Sequence, residues 1–281
     1  MKKIALVLLS FGALSAFAQT TTGKIVVKKG QHFTVSSTSD GVINQEMMGQ
    51  SMEMKIGSTT TMSAAIKESK NNTYTITQTL TNVKSTFDGM GQQKTFDSDK
   101  KEDMDGEAGA IYKDKFNVPK DIVITDDGKS IASATDTAKA KPDTNPMAAM
   151  MNMMGGGQDN AAAALFLVIP AGKKAGDSWQ DSSSTDGVKV IRKYTLNSIT
   201  SKEATITMNG VFDINKTMQV QGMDMNAVMN SKIVSVVLVD VISNMQKENK
   251  STTDVTGTVD IMGQSVPVKS KIISVTTVKP A

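Results

Sequence analysis

The sequence predicts a mainly β protein: a long-stranded antiparallel meander curled as a half-barrel, with a short helical insertion between two halves. Three observations carry this reading. Stretches that alternate β-branched or apolar residues with polar ones recur along most of the chain. Short turns bearing Asn, Asp or Gly separate them, which favours antiparallel neighbours. Between the halves lies a run of different character, first small and polar, then rich in methionine.

The chain opens with Met1-Lys2-Lys3, continues through an apolar run over residues 4–14 and reaches Ser15-Ala16-Phe17-Ala18-Gln19. Basic, apolar and Ala-x-Ala segments in that order form a secretory signal peptide, expected to be cleaved after Ala18. The apolar run is too short to cross a bilayer as a helix, which takes roughly 20 residues. The expected location is therefore exported, periplasmic or secreted. With no Cys anywhere, the chain has no lipid-anchor cysteine, disulfide, thiolate nucleophile or Cys-ligated metal. No transmembrane segment is expected.

Residues 19–133 form the first β-rich half. Thr73-Tyr74-Thr75-Ile76-Thr77-Gln78-Thr79-Leu80-Thr81 has the period of two expected of a half-buried strand. Lys70-Asn71-Asn72 precedes it as a turn, and Asp126-Asp127-Gly128-Lys129 marks a hairpin after Ile122-Val123-Ile124-Thr125. Residues 134–169 form a linker with Pro142 and Pro146, followed by a short helix. There Met147, Met150, Met151 and Met154 are spaced to share one face, and Gly155-Gly156-Gly157 ends the helix. Asn160 caps a second short helix that leads to Leu165 and Phe166 and stops before Pro170.

Residues 170–281 form the second β-rich half, opened by Gly176-Asp177-Ser178-Trp179. Ser201-Lys202-Glu203 is a turn. Ala204, Ile206 and Met208 share one strand face, as do Val255, Val259 and Ile261. The apolar run over 233–242 reads as a central strand covered on both faces. Strands of roughly 12–15 residues would reach about 40–50 Å. The tetrapeptide Met-Gly-Gln-Ser occurs at 48–51 and at 262–265, with a shorter copy at 90–92. Each copy reads as a hairpin tip or bulge, and the pair suggests a loose internal duplication.

Composition excludes several classes. Removal of Lys2 and Lys3 takes the 31 basic residues to 29, against 28 acidic ones. Arg192 is the only arginine and aromatics make up 4% of the chain. Near-neutral charge, scarce arginine and few stacking rings argue against nucleic acid as a partner.

Three constellations bear on chemistry. His32 is the only histidine and no Gly-x-Ser-x-Gly elbow accompanies it, so it reads as a surface residue. The acidic stretch over 97–107 places Asp103 and Asp105 before Gly106, as a calcium loop would. Lys101 stands where an earlier ligand belongs, and the plainer reading is a solvated loop. The 20 methionines are the most distinctive feature. Thioethers suit Cu(I), but Met is also an adaptable apolar filler, and a packed helical face needs the same spacing. No catalytic residue, metal ligand set or cofactor is assigned.

The runs Glu46-Met47-Met48-Gly49-Gln50-Ser51-Met52-Glu53-Met54, Phe96-Asp97-Ser98-Asp99-Lys100-Lys101-Glu102-Asp103 and Gly176-Asp177-Ser178-Trp179 resemble an uncharacterised family of exported proteins. That family is a domain of unknown function common in Bacteroidota, and the resemblance implies no established activity. The long-stranded architecture also resembles periplasmic lipoprotein carriers with a curled sheet over helices.

The expected function is a non-enzymatic binding or carrier protein whose partner is an apolar small molecule or lipid. The candidate contact residues are Met147, Met150, Met151 and Met154, with Leu165 and Phe166. The alternatives are a Met-based soft-metal (copper) binder and a structural module that docks another envelope protein.

Overall fold

A computed structural model of the chain describes residues 21–47, 50–89, 91–131, 164–185, 187–220, 223–261 and 264–281. The expected signal peptide, the expected linker over 134–146, Met147 to Met154 and the expected Asn160 cap lie outside the described residues. The described chain folds into one antiparallel sheet of twelve strands that does not close.

The first half contributes β1 (His32–Met47), β2 (Gln50–Lys70), β3 (Thr73–Gly89), β4 (Gln92–Asp97), β5 (Lys120–Thr125) and β6 (Ser130–Ile131). The second contributes β7 (Ser178–Thr185), β8 (Val188–Ile199), β9 (Glu203–Val220), β10 (Met223–Asp240), β11 (Gln246–Ile261) and β12 (Gln264–Pro280). The order across the sheet is β6-β5-β3-β2-β1-β12-β11-β10-β9-β8-β7. β1 pairs with β12 from Phe33↔Pro280 to Gln45↔Val268, so the two halves share one sheet.

Several strands exceed the expected length: β2 has 21 residues, and β9 and β10 have 18 each. At about 3.3 Å per residue, β2 spans about 70 Å. β-Bulges keep the long strands in register where twist would otherwise part them, as at Thr61/Met62 and Leu196/Ser198. The meander is also not strict. The outer edge of β3 is shared: Thr73 to Gln78 pair with β5, and Lys84 to Gly89 pair with β4.

The hairpins are asymmetric between the two ends of the sheet. Alternation of direction sends β1, β3, β7, β9 and β11 toward one end, the tip end. There the paired residues Met47↔Gln50, Gly89↔Gln92, Val220↔Met223 and Ile261↔Gln264 each bracket two residues. The bracketed sequences are Met48-Gly49, Met90-Gly91, Gln221-Gly222 and Met262-Gly263, so the repeated tetrapeptide marks hairpin ends, as its composition suggests. Gly91 has φ of 71°, the left-handed conformation such tight turns require. At the opposite end, the base, Asn71 and Asn72 turn β2 into β3 with φ of 52° and 60°.

One face is apolar on strand after strand, which is why the sheet curls toward it. Phe33, Val35 and Ile43 of β1 point there, with Val237 and Val239 of β10 and Val266, Val268 and Val278 of β12. Burying one such aliphatic side chain stabilises by about 1.5–3 kcal/mol. The expectation that residues 233–242 are covered on both faces is corrected. β10 is central, but Val228, Val234 and Val236 on its other face are each about half exposed. Central position therefore comes without a second covering layer, and β10 ends at Asp240 rather than continuing to Ile242.

Among the described residues the helices are short and sit at α1 (Lys101–Asp105) and α2 (Glu107–Ala110). The acidic stretch is thus helical rather than a loop. Phe116 and Met104 from this region pack with Tyr112 over Leu80, Val83 and Phe96.

Candidate functional site

The inner face of the curled sheet is the candidate site, and it has three zones along the strands. At the base, Ile25, Val35, Ile66, Ile76, Ile124, Leu165 and Phe166 form one buried cluster. Ile169, Leu196, Ile206 and Val239 form its neighbour. At the tip end, Ile43, Met54, Met225, Ala227, Met229, Val255, Val259 and Val268 form another. Methionines distant in the sequence, Met54, Met225 and Met229, thereby meet at the tip end. The thioethers of Met54, Met225 and Met229 are packed among aliphatic side chains there.

Between these apolar zones runs a waist of small hydroxyl side chains. Side chains of Cα-paired residues share a face, so the register can be read as rows. One row runs Ser85↔Ser58↔Ser39↔Ser274↔Ser251↔Ser235, from β3 across β2, β1, β12 and β11 to β10: six serines on six neighbouring strands. It continues to Met208 and Tyr194. The row on its base side runs Thr60↔Ser37↔Thr276↔Asn249. Ser37 and Thr276 share a hydrogen bond of 2.9 Å between their hydroxyls. Toward the tips, Ser270 and Ser231 flank Val255.

Exposure differs along this waist. Ser37, Ser39, Ser58, Thr60, Ser85, Ser251, Ser274 and Thr276 are partly accessible, so the middle of the inner face is not sealed by packing. Ser235 and Ser270 are 1% and 6% exposed. Ser235 Oγ, Ser270 Oγ and Asn249 Oδ1 are buried and have no hydrogen-bond partner among the described residues. A buried polar atom left unpaired costs about 1–3 kcal/mol.

The waist ends against the β7 edge at the chain's only Trp and only Arg. Trp179 stacks on Tyr194 with ring centroids 5.2 Å apart. Tyr194 donates its hydroxyl to Asp181 at 2.9 Å, and Arg192 donates to the other oxygen of the same carboxylate at 3.2 Å. The Arg192 guanidinium also lies 5.6 Å from the Phe212 ring centroid. Burial, then the Asp181 charge, pushes the Tyr194 phenol above its usual range. The arginine is thus already neutralised by its own neighbour.

Leu165 and Phe166, candidates from the sequence, lie at the base, not at the waist. Leu165 is fully buried and Phe166 bridges to Met245. The segment they lead into is held by Leu167 N–H donating to the carbonyl of Asn244 at 3.0 Å. Met147, Met150, Met151 and Met154 lie outside the described residues. His32 is exposed at the first residue of β1. In the acidic stretch, the Asp103 carboxylate accepts the Asp97 backbone N–H at 2.7 Å. The Asp97 carboxylate accepts the Asp99 N–H and meets Lys84 at 3.1 Å, which together hold it below the usual carboxylate range. These carboxylates serve the turn, and among the described residues no three His, Cys, Asp or Glu side chains gather as a metal site would need. No described helix is long and apolar enough to cross a membrane.

The outer face carries an open groove of about 520 Å³ near the tip end of β8 to β11. Its floor is a second row, Lys189↔Asp213↔Asn230↔Thr256. Asn230 donates to Asp213 at 2.6 Å. Neither row is visible along the chain, because cross-strand neighbours are set by register between distant strands.

The comparisons with known proteins add a family and a fold. The profile of a family of unknown function, DUF6263, matches residues 71–245, more than half of the chain. The chain belongs to this family. No curated protein matches it. A solved structure described as "Lipid-protein interactions in lipovitellin" is similar to it with a TM-score of 0.51 at 12% identity. That similarity covers 90% of this chain and 25% of the lipovitellin chain, so the chain spans about a quarter of that protein, and the likeness is one of fold. An outer membrane channel from Pseudomonas putida F1 is similar over 91% of this chain and 98% of its own, with a TM-score of 0.26 at 5% identity.

Proposed function

We propose that this protein is a non-enzymatic carrier or binding protein for an apolar ligand, exported and processed after Ala18. The observation that carries the reading is the inner face: apolar zones at both ends of a curled sheet, with an accessible middle between them. A face that existed only to fold would be sealed there by larger side chains. Long strands give it the reach to hold an extended hydrocarbon chain. The fold likeness to lipovitellin, whose structure is described in terms of lipid–protein interactions, supports the same reading.

Native mass spectrometry of the protein purified from its own cells, with solvent extraction of the same sample, tests the proposal. An apolar species at near-stoichiometric amount is expected. Protein that carries none, and that takes up none from offered lipids, would sink it. Amino-terminal sequencing of the mature protein should begin at Gln19.

A further inference from the structure

Resting on the carrier reading, we infer that the hydroxyl waist is a subsite for the uncharged polar group of an amphiphile. Its ester, amide or hydroxyl would lie against Ser235, Ser251, Ser270 and Asn249, and its hydrocarbon would extend into the flanking apolar zones. Three features point to this chemistry.

First, the waist is polar where an apolar lining would bury more cleanly. Six serines occupy one row across six strands, and a plain hydrocarbon laid over them would desolvate every hydroxyl without replacing its hydrogen bonds. Second, Ser235 Oγ and Ser270 Oγ are more than nine-tenths buried, lie on the inner face and have no hydrogen-bond partner among the described residues. Asn249 adds an unpaired acceptor, Oδ1, one row away. A hydroxyl both donates and accepts, and a carboxamide oxygen accepts. Together they suit a ligand carrying a carbonyl and a hydroxyl.

Third, among the described residues the waist rows hold no compensating charge. The rows through Ser235, Asn249 and Ser270 contain Ser, Thr, Asn and aliphatic residues from β1 to β10. The nearby cation, Arg192, is committed to Asp181 and Phe212. A carboxylate or phosphate buried beside the serines would lack a counter-ion and bear the full desolvation cost of its charge. The geometry therefore selects neutral polar groups over ionised ones.

Displacement of the neutral probe N-phenyl-1-naphthylamine from the full chain tests this, with monoolein, oleate at pH 8 and 1-octadecene as competitors. Monoolein is expected to displace the probe most effectively. The Ser235→Ala, Ser270→Ala double variant should weaken monoolein about three- to tenfold, the loss expected for one or two hydrogen bonds, and leave 1-octadecene unchanged. Its melting temperature without ligand should equal or exceed the parent's, since each substitution removes an unpaired buried hydroxyl. The accessible-row variant Ser251→Ala gives a second measurement, with a smaller loss in the same direction. Equal displacement by monoolein and 1-octadecene, tighter binding of oleate, or an unchanged monoolein affinity in both variants would overturn the waist while leaving the carrier reading intact. Failure of every competitor and of the probe to bind would overturn the carrier reading itself.

Discussion

The backbone N–H of Ile169 donates to the side-chain carbonyl of Asn244 across 2.9 Å, joining residues 75 positions apart at the base of the sheet. The same carboxamide donates from Nδ2 to the carbonyl of Lys24 at 2.7 Å. One wholly buried side chain thus ties the incoming segment at residue 24, the segment before β7 and the β10–β11 connection.

Asn244 also has φ of 56°, a conformation Asn tolerates better than most residues. Asn244→Ala removes both bonds and places a Cβ-bearing residue without compensation in that conformation. It is expected to destabilise the protein by about 2–4 kcal/mol in urea unfolding. Asn244→Gly keeps the backbone relaxed and should cost less. Equal costs for the two variants would show that the side-chain bonds alone matter.

A close approach of two strands makes Gly257 a second sensitive position. A Cβ there would lie 2.2 Å from the carbonyl oxygen of Val228 and 2.7 Å from the Cα of Met229, both backbone atoms. Gly257→Ala should cost about 1–3 kcal/mol by overpacking. At Gly57 the nearest obstacle is the Thr86 hydroxyl, at 2.6 Å, a side-chain atom that can rotate away. Gly57→Ala should stay within about 0.5 kcal/mol of the parent. Thermal unfolding of the two variants side by side makes the comparison.

The two-residue turn at Asn71-Asn72 calls for positive φ at both positions. Asn72→Gly should be neutral within about 0.5 kcal/mol, whereas Asn72→Val should cost about 1–2 kcal/mol. Chemical denaturation reads both.

Tyr194 sets an alkaline limit. Its phenol is raised above the ordinary value near 10, by burial first and by Asp181 second. The unfolded chain therefore loses that proton before the folded chain does. Stability from this group is complete below pH 10 and falls as pH rises from there toward the folded value. Tyr112, raised by burial, acts in the same sense. Tyrosinate absorbance should thus rise late and together with the loss of β-sheet circular dichroism. Tyr194→Phe should lessen the decline above pH 10. A Tyr194 that ionises near pH 10 in a folded protein would refute the account.

Much of the fold was legible because it is local. Thr73 to Thr81 alternates in the folded sheet as it does in the sequence, with Tyr74, Ile76, Gln78 and Leu80 inward. Gly128, after Asp127, and Gly91 mark turns through the backbone freedom of glycine. What was hidden depends on relations between distant residues. Residues 233–242 read as doubly covered because composition reports apolarity, not whether another layer exists to cover Val234 and Val236. The helices at 101–110 were missed because they are a turn or so long and lack side-chain caps. Candidate site residues were sought among methionines, the conspicuous residue type. The serine row is inconspicuous in the chain, since each member belongs to a different strand and only register assembles them.

The β1–β12 pairing has a consequence for how the chain reaches this structure. Residues 33–45 and 268–280 are hydrogen-bonded neighbours at the middle of the sheet, so its centre is built from two segments widely separated in the sequence. Such high contact order slows folding, because the largest loop must close before the central ladder can form. During synthesis β1 and β2 can form their hairpin early, yet the other edge of β1 stays open until the last strand emerges. The central ladder is thus the last to be completed, and a chain lacking β12 would present that edge to any other extended strand it met.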